Sequence, residues 1–149
     1  MRSDPVLVRA VVDGNTIDVA TVGHVRLLGI DAPALGRGSR SAAPFGKEAR
    51  DRLASIVVNR WIRLEHEAGG GRAAYVLTEN GVFVNALMVR EGLARVSARA
   101  SLARFDELKN AESEAQLTRR GMWSGSAQVP SPSYTRPSSR SSTIKKKKQ

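Results

Sequence analysis

The sequence predicts an α+β fold in which a small β-barrel is packed against helices. Segments that alternate apolar and polar residues come first along the chain, whereas most segments with helical spacing come later. Of the 149 residues, 41% are hydrophobic and only 5% are aromatic, which is enough for one modest core. We therefore expect a single folded domain.

The first predicted elements are three short strands joined by tight turns. Residues 6–12 are largely β-branched and apolar, residues 13–15 (Asp-Gly-Asn) are a turn signal, and residues 16–21 resume the strand pattern. A third strand is predicted over 25–30. Strands this close together in sequence are typical of a meander.

The rest of the predicted domain contains three helices and one hairpin. Apolar residues spaced by four, three and one positions predict the first helix. A triple-glycine turn between two alternating segments predicts the hairpin, and a glycine just beyond each later helical segment is typical of helix C-termini. The predicted helices cover 47–58, 82–91 and 103–119, and the predicted strands cover 61–67 and 73–78.

Charge is distributed unevenly along the chain. The formal net charge is +10, from 24 basic and 14 acidic residues, and residues 125–149 hold six of the basic residues and no acidic one. This segment is rich in Ser, Pro and Arg, so we expect a folded domain over 1–124 and a disordered tail over 125–149. Clustered cations suit a polyanion such as nucleic acid; a tail that only increases solubility is the alternative. The densest cluster is Lys145, Lys146, Lys147 and Lys148.

Two absences narrow the classes of protein. Without cysteine, the chain has no disulfides, thiolate metal sites or cysteine nucleophiles. It also lacks an apolar stretch of about eighteen residues, the length that a membrane span requires. We expect a monomer without a membrane segment, located in the cytoplasm.

Six sequence blocks occur in an order that is shared with a known family. In this order they closely resemble the staphylococcal nuclease (thermonuclease-like) family over about residues 6–123. The resemblance implies an OB-type five-stranded barrel with three helices and a calcium-dependent cleft that cleaves phosphodiester bonds in DNA or RNA. The blocks are VVDGNTI (11–17), VRLLGIDAP (25–33), PFGKEA (44–49), AYV (74–76), VN with GLARV (84–85, 92–96), and EA with GMW (114–115, 121–123).

The resemblance implies two aspartates and a backbone carbonyl as calcium ligands. Asp31 matches the second aspartate, and the carbonyl of Ala32 stands where the family uses that of a threonine; calcium prefers such oxygen ligands. Asn15 replaces the first aspartate, so one negative charge is lost and we expect weaker calcium binding. Asp13 is a candidate for supplying part of that charge; a turn without a ligand role is the alternative.

Two arginines are implied as catalytic, phosphate-binding residues. Arg26 matches the first, because the planar guanidinium fork holds two phosphate oxygens and stabilises charge on the transferring group. Arg26 and Asp31 lie on opposite faces of an ideal strand, so the strand has to bend, bulge or end between them. Arg72 is the candidate for the second arginine, within a shortened hairpin; a solvated surface residue is the alternative.

The remaining matched positions divide into lost and retained residues. Ala34 replaces the expected glutamate, and general-base catalysis is typically worth about 10²–10⁴-fold in rate. The expected base-stacking tyrosines are also absent, and stacking contributes about 1–3 kcal/mol per base. Arg95 and Arg99 remain as candidates for nucleic-acid contacts. Glu65 and Asn85 match structural residues of the family, one anchoring the last helix and one hydrogen-bonding the backbone.

These departures leave three functional hypotheses. The favoured one is a nucleic-acid-binding domain of this nuclease family that cleaves weakly or not at all and binds calcium weakly or has lost it. The second is an active calcium-dependent endonuclease with a rearranged site, in which Asp13 supplies metal charge. The third is a non-enzymatic interaction module whose basic tail carries most of the nucleic-acid affinity.

Overall fold

The computed structural model describes residues 2–36, 43–68, 71–97 and 102–125. These residues form seven strands, three α-helices and one 3-10 helix. None of the helices in these ranges is long and apolar enough to cross a membrane. In chain order the elements are β1 (Val6–Asp13), β2 (Thr16–Val19), β3 (Gly23–Leu27), β4 (Ile30–Asp31), α1 (Gly46–Val57), β5 (Trp61–Glu65), β6 (Ala73–Thr78), α2 (Val84–Arg90), β7 (Arg95–Val96), α3 (Phe105–Leu117) and the 3-10 helix (Gly121–Trp123).

Five of the strands close into a barrel in the order β1-β2-β3-β6-β5. Neighbouring strands are antiparallel except β3 and β6, which run parallel with Arg26 opposite Ala73. β1 meets β5 where Leu7 pairs with Trp61, and this contact closes the barrel. A closed five-stranded barrel with three helices confirms the predicted α+β, OB-type fold.

The largest difference from the predicted elements is at the third strand. Predicted over 25–30, β3 ends at Leu27, because Gly29 has a φ of 84° that turns the chain and that a residue with a Cβ rarely adopts. The chain then forms β4, which pairs with β7 instead of with the barrel. Neither β4 nor β7 could be predicted from the sequence, because two residues are too few to show a period.

The core fills the barrel and continues beneath the helices. In α1, Ala49, Leu53 and Val57 are fully buried and four residues apart, so this face of the helix packs against the barrel. Two polar side chains are also buried among the described residues, Asn85 in α2 and Glu112 in α3. Both bind backbone groups that position the candidate site.

Candidate functional site

The centre of the candidate site is an ion pair between Arg26 on β3 and Asp31 on β4. The Arg26 Nη2 lies 3.1 Å from the Asp31 Oδ1, and each side chain is 60% exposed. Because β3 ends at Leu27, the two side chains reach the same side of the molecule although five residues separate them. The expectation that the strand ends or bends between them is therefore confirmed.

The turn between the two charged residues is held from inside the protein by Asn85. Its Nδ2 donates to the Leu28 carbonyl at 2.9 Å, and its Oδ1 accepts from the Val76 N–H at 2.9 Å. The side chain is fully buried, so both bonds are shielded from water. Asn85 thus has the backbone-bonding role that the sequence predicted, and it fixes the turn that connects Arg26 to Asp31.

The outer edge of the site is fixed by Glu112, a residue that the sequence analysis missed. The backbone of Asp31 pairs with that of Arg95 in the β4–β7 ladder. The Glu112 Oε2 accepts from the Val96 N–H at 2.9 Å, and Lys109 lies 3.1 Å from the other carboxylate oxygen. A carboxylate beside the apolar stripe of the predicted last helix was the available signal, because buried charges require partners.

The β1–β2 turn brings Asn15 to the strand that carries Asp31. The Asn15 Nδ2 donates to the Ile30 carbonyl at 3.3 Å. Asp13 instead closes its own turn, because its Oδ1 accepts from the Asn15 N–H at 3.0 Å. The turn packs tightly, and a Cβ on Gly14 would lie only 2.6 Å from the Ala32 Cβ.

A cleft of about 330 Å³ opens beside Asp31. Arg95 lines it, with its guanidinium stacked 5.1 Å above the Trp123 ring centroid, so this cation is held at the cleft wall. Among the described residues that line the cleft, Asp31 is the only carboxylate. These residues are Asp31, Ala32, Pro33, Ala43, Pro44, Phe45, Arg95 and Met122.

Ala34, at the position where the family pattern calls for a general base, contributes only backbone bonding. Its carbonyl accepts from the Ala43 N–H at 2.9 Å, which closes the loop before α1. Glu48, the next carboxylate along the sequence, is exposed in the first turn of α1 and is not among the residues that line the cleft.

The backbone of Arg72 is hydrogen-bonded to that of Arg26, but the Arg72 side chain is directed away from Asp31. The Arg26 N–H donates to the Arg72 carbonyl at 3.2 Å, whereas the Arg72 Nη1 donates to the carbonyl of Val22, before β3, at 3.2 Å. Its guanidinium is therefore bound at the opposite end of β3 from Asp31. Arg99 and Lys145–Lys148 lie outside the described residues, so their predicted contacts with nucleic acid stay predictions.

The oxygen donors near Asp31 do not by themselves fit a calcium site. Within the described ranges there is no group of three or more His, Cys, Asp or Glu that could hold a metal ion. Asp31 is the one carboxylate among the described residues that line the cleft, and Arg26 already binds it. The Asn15 amide oxygen and the Ala32 carbonyl are neutral, so this donor set has less charge than calcium sites usually provide.

Helix α3, which carries Glu112, is anchored to the barrel by Glu65. Both carboxylate oxygens of Glu65 bind the Arg104 guanidinium, at 2.8 and 2.9 Å. The Arg104 bonds hold the pKa of Glu65 below its ordinary value, with a smaller contribution from Arg2. Glu65 therefore has the anchoring role that the sequence predicted.

Comparisons with known proteins identify the family of the chain. A family model described as staphylococcal nuclease homologue matches residues 24–125. A thermonuclease of Staphylococcus hyicus is 31% identical over 123 residues, 76% of this chain and 72% of that protein. A thermonuclease of Staphylococcus intermedius is 30% identical over 132 residues, 83% and 78% of the two chains. A staphylococcal-like nuclease of Arabidopsis thaliana is 34% identical over 109 residues, covering 69% of this chain and 30% of that protein. The chain therefore belongs to the staphylococcal nuclease family.

Proposed function

We propose that this domain binds the phosphate backbone of nucleic acid in the cleft beside Asp31 and cleaves it weakly or not at all. The observation that carries the proposal is that the phosphate-binding arginine of the family pattern is present, whereas the general-base glutamate is absent. Arg26 is bound to Asp31, which lines the cleft, whereas the Ala34 side chain offers no proton acceptor. The nuclease names of the relatives support nucleic acid as the ligand.

Phosphate binding at Arg26 requires only an exchange of partners. The Arg26–Asp31 pair is exposed, and exposed ion pairs contribute about 0–1 kcal/mol. A phosphate with two free oxygens accepts a bidentate bond from the guanidinium, which is stronger than the single bond to Asp31. Arg95, held by Trp123 on the cleft wall, adds a second cation for the same strand.

Hydrolysis needs a group that takes a proton from the attacking water, and the position of the family's general base holds Ala34. Asp31 is the one carboxylate among the described lining residues, and it is also the residue that would bind calcium, so no second carboxylate among them is left for this task. Loss of a general base typically lowers the rate by about 10²–10⁴-fold. Calcium, where it binds, would be held by Asp31, Asn15 and the Ala32 carbonyl, and we propose that this binding is weak.

Cleavage of single-stranded DNA in excess calcium tests the proposal. Wild-type protein is compared with the double variant Asn15→Asp, Ala34→Glu, which restores both carboxylates of the family pattern. We expect a gain of at least about 10²-fold in the double variant. Asn15→Asp combined with Ala34→Gln is the matched control, since the amide has the shape of glutamate and accepts no proton at neutral pH, and it should remain slow.

Two outcomes would reject weak cleavage. Wild-type turnover close to that of a staphylococcal thermonuclease assayed in parallel would show an active enzyme. If wild type is active and the double variant cleaves no faster than wild type, the site is rearranged. The Asp13 Oδ1 accepts from the Asn15 N–H, so one of its carboxylate oxygens already closes the β1–β2 turn.

A further inference from the structure

A groove remote from Asp31 exposes an aromatic ring. Trp61 lies at the start of β5 with 49% of its surface exposed, and it is the one aromatic residue among the large exposed hydrophobic residues of the described ranges. The groove beside it has a volume of about 490 Å³. Its walls come from the C-terminal half of α1, from the β6 end and from α2. We call it the Trp61 groove.

Charges in the Trp61 groove nearly balance. Arg52 is bound to both carboxylate oxygens of Glu91, at 2.7 and 2.8 Å. The Arg60 side chain is exposed and makes no hydrogen bond or ion pair with any residue that the structure describes. Glu79 contributes one opposing carboxylate. The net charge of the groove therefore favours neither an anionic nor a cationic partner, and the Trp61 ring and the polar side chains determine which partner fits.

The polar side chains around Trp61 suit the edge of a nucleobase. Asn59 and Asn80 line the groove and carry amides, each of which has donors and an acceptor. Asn80 accepts from the Thr78 hydroxyl through its oxygen, so its Nδ2 remains available as a donor. An exposed indole, a guanidinium and two amides are the groups that stack on and hydrogen-bond to bases in single strands.

We propose that the Trp61 groove is a second binding site for single-stranded nucleic acid, in which a base stacks on Trp61 and Arg60 contacts the backbone. Two elements connect the groove to the Asp31 cleft. α1 begins at Gly46, which lies against the Ala34 carbonyl, and its C-terminal half lines the groove. Its 12 residues span about 18 Å. β6 begins at Ala73, opposite Arg26, and ends at Thr78 in the groove, so it spans about 17 Å.

This separation predicts a dependence on strand length. At about 3.4 Å per stacked nucleotide, this separation is roughly five steps, so a strand needs at least about six nucleotides to reach both sites. Such a length lies within the 4–16 nucleotides that OB-type folds typically cover. A strand of two or three nucleotides occupies one site at a time, so loss of Trp61 should cost such a strand much less affinity than it costs a longer strand that reaches both sites.

Binding of oligothymidylates to the full chain, followed by fluorescence anisotropy, tests the proposal. With a strand of about 16 nucleotides, Trp61→Ala should weaken binding roughly 5- to 150-fold, whereas Trp61→Phe should retain most of the affinity. Arg60→Gln should weaken binding and lower the slope of log affinity against log salt by about 0.7, the contribution of one phosphate contact on a single strand. Glu79→Gln should tighten it, because an opposing charge is removed. Trinucleotide binding should be weakened much less than binding of the long strand in Trp61→Ala.

Tryptophan fluorescence gives a local readout that the basic tail cannot imitate. A base stacked on Trp61 should quench indole emission in the wild-type protein, and Trp61→Phe should lose this part of the quench while binding persists. Trp123 beside Arg95 is the second tryptophan, so the quench that remains in Trp61→Phe reports on the Asp31 cleft. If Trp61→Ala binds the long strand as tightly as wild type and Trp61→Phe is quenched as much as wild type, the groove does not bind nucleic acid and a protein partner is the better candidate. Arg26→Gln separates the two proposals: unchanged affinity in that variant would reject the cleft, and it would leave the groove standing if Trp61→Ala is weakened.

Discussion

At the residue scale, Asn85 determines whether the turn between Arg26 and Asp31 keeps its shape. Asn85→Ala would leave the buried Val76 N–H and the part-buried Leu28 carbonyl without these partners. Each unsatisfied buried group costs about 1–3 kcal/mol. We therefore expect the free energy of unfolding, measured with urea, to fall by roughly 2–5 kcal/mol.

Asn80→Ala is the matched control for this change, because it removes the same side chain from an exposed turn. It should change stability by less than about 0.5 kcal/mol. Equal losses in the two variants would show that burial of the Asn85 bonds is not the cause. A protein with Asn85→Ala that remains folded should also bind strands less tightly at Arg26, since the turn is no longer held.

At the scale of elements, the β4–β7 ladder depends on α3 through Glu112. Glu112→Ala removes the acceptor of the Val96 N–H, so this short ladder should open more often. Amide hydrogen exchange should then accelerate at Val96 and Ser97, whose N–H groups bind Glu112 and the Gly29 carbonyl. Glu112→Gln retains an oxygen acceptor and should exchange more slowly than Glu112→Ala. Identical protection in wild type and Glu112→Ala would exclude this role.

The attachment of α3 to the barrel should weaken in acid through Glu65. The pKa of Glu65 is lowered in the folded protein from its ordinary value of 4.5, chiefly by the Arg104 bonds. Its contribution to stability is therefore fully present above pH 4.5 and is lost as the pH falls through the folded pKa. At about pH 7, the free energy of unfolding measured with urea should be higher for wild type than for Glu65→Gln. This difference should become smaller at about pH 3.

Asp51→Asn is the control for the acid experiment. Lys47 and Arg50 also lower the pKa of Asp51, but this pair is on the exposed surface of α1. Exposed pairs contribute little to stability, so the variant should resemble wild type at both pH values. A gap for Glu65→Gln that is equally large at both pH values would assign its effect to packing instead of charge.

Most elements could be predicted because they are long enough to show a period. The helix over 47–58 was found within one residue of Gly46–Val57 by its buried stripe. β4 and β7 could not be found, since they are defined by pairing with each other and not by a pattern within either. The partners of Arg72 and Glu112 were missed for the same reason, because each bond joins residues that are remote in sequence.

At the scale of the whole molecule, the basic segment 125–149 and the folded domain should contribute separately to nucleic-acid binding. The last described element, the 3-10 helix Gly121–Trp123, docks through the Met122 N–H to the Gly92 carbonyl at 2.9 Å. Removal of residues 126–149 leaves this contact in place, so the unfolding free energy should remain unchanged. The deletion also removes six basic residues and no acidic one.

The deletion should therefore lower the salt dependence of binding to single-stranded DNA. Each phosphate contact contributes about 0.7 to the slope of log affinity against log salt. Loss of several tail contacts should make the slope visibly shallower, and the affinity that remains should fall further with Arg26→Gln. If the shortened chain retains no measurable binding at low salt, the tail carries the affinity and the domain acts as its scaffold. If the slope is unchanged, the tail does not contact phosphate, and the cleft with the Trp61 groove accounts for the binding.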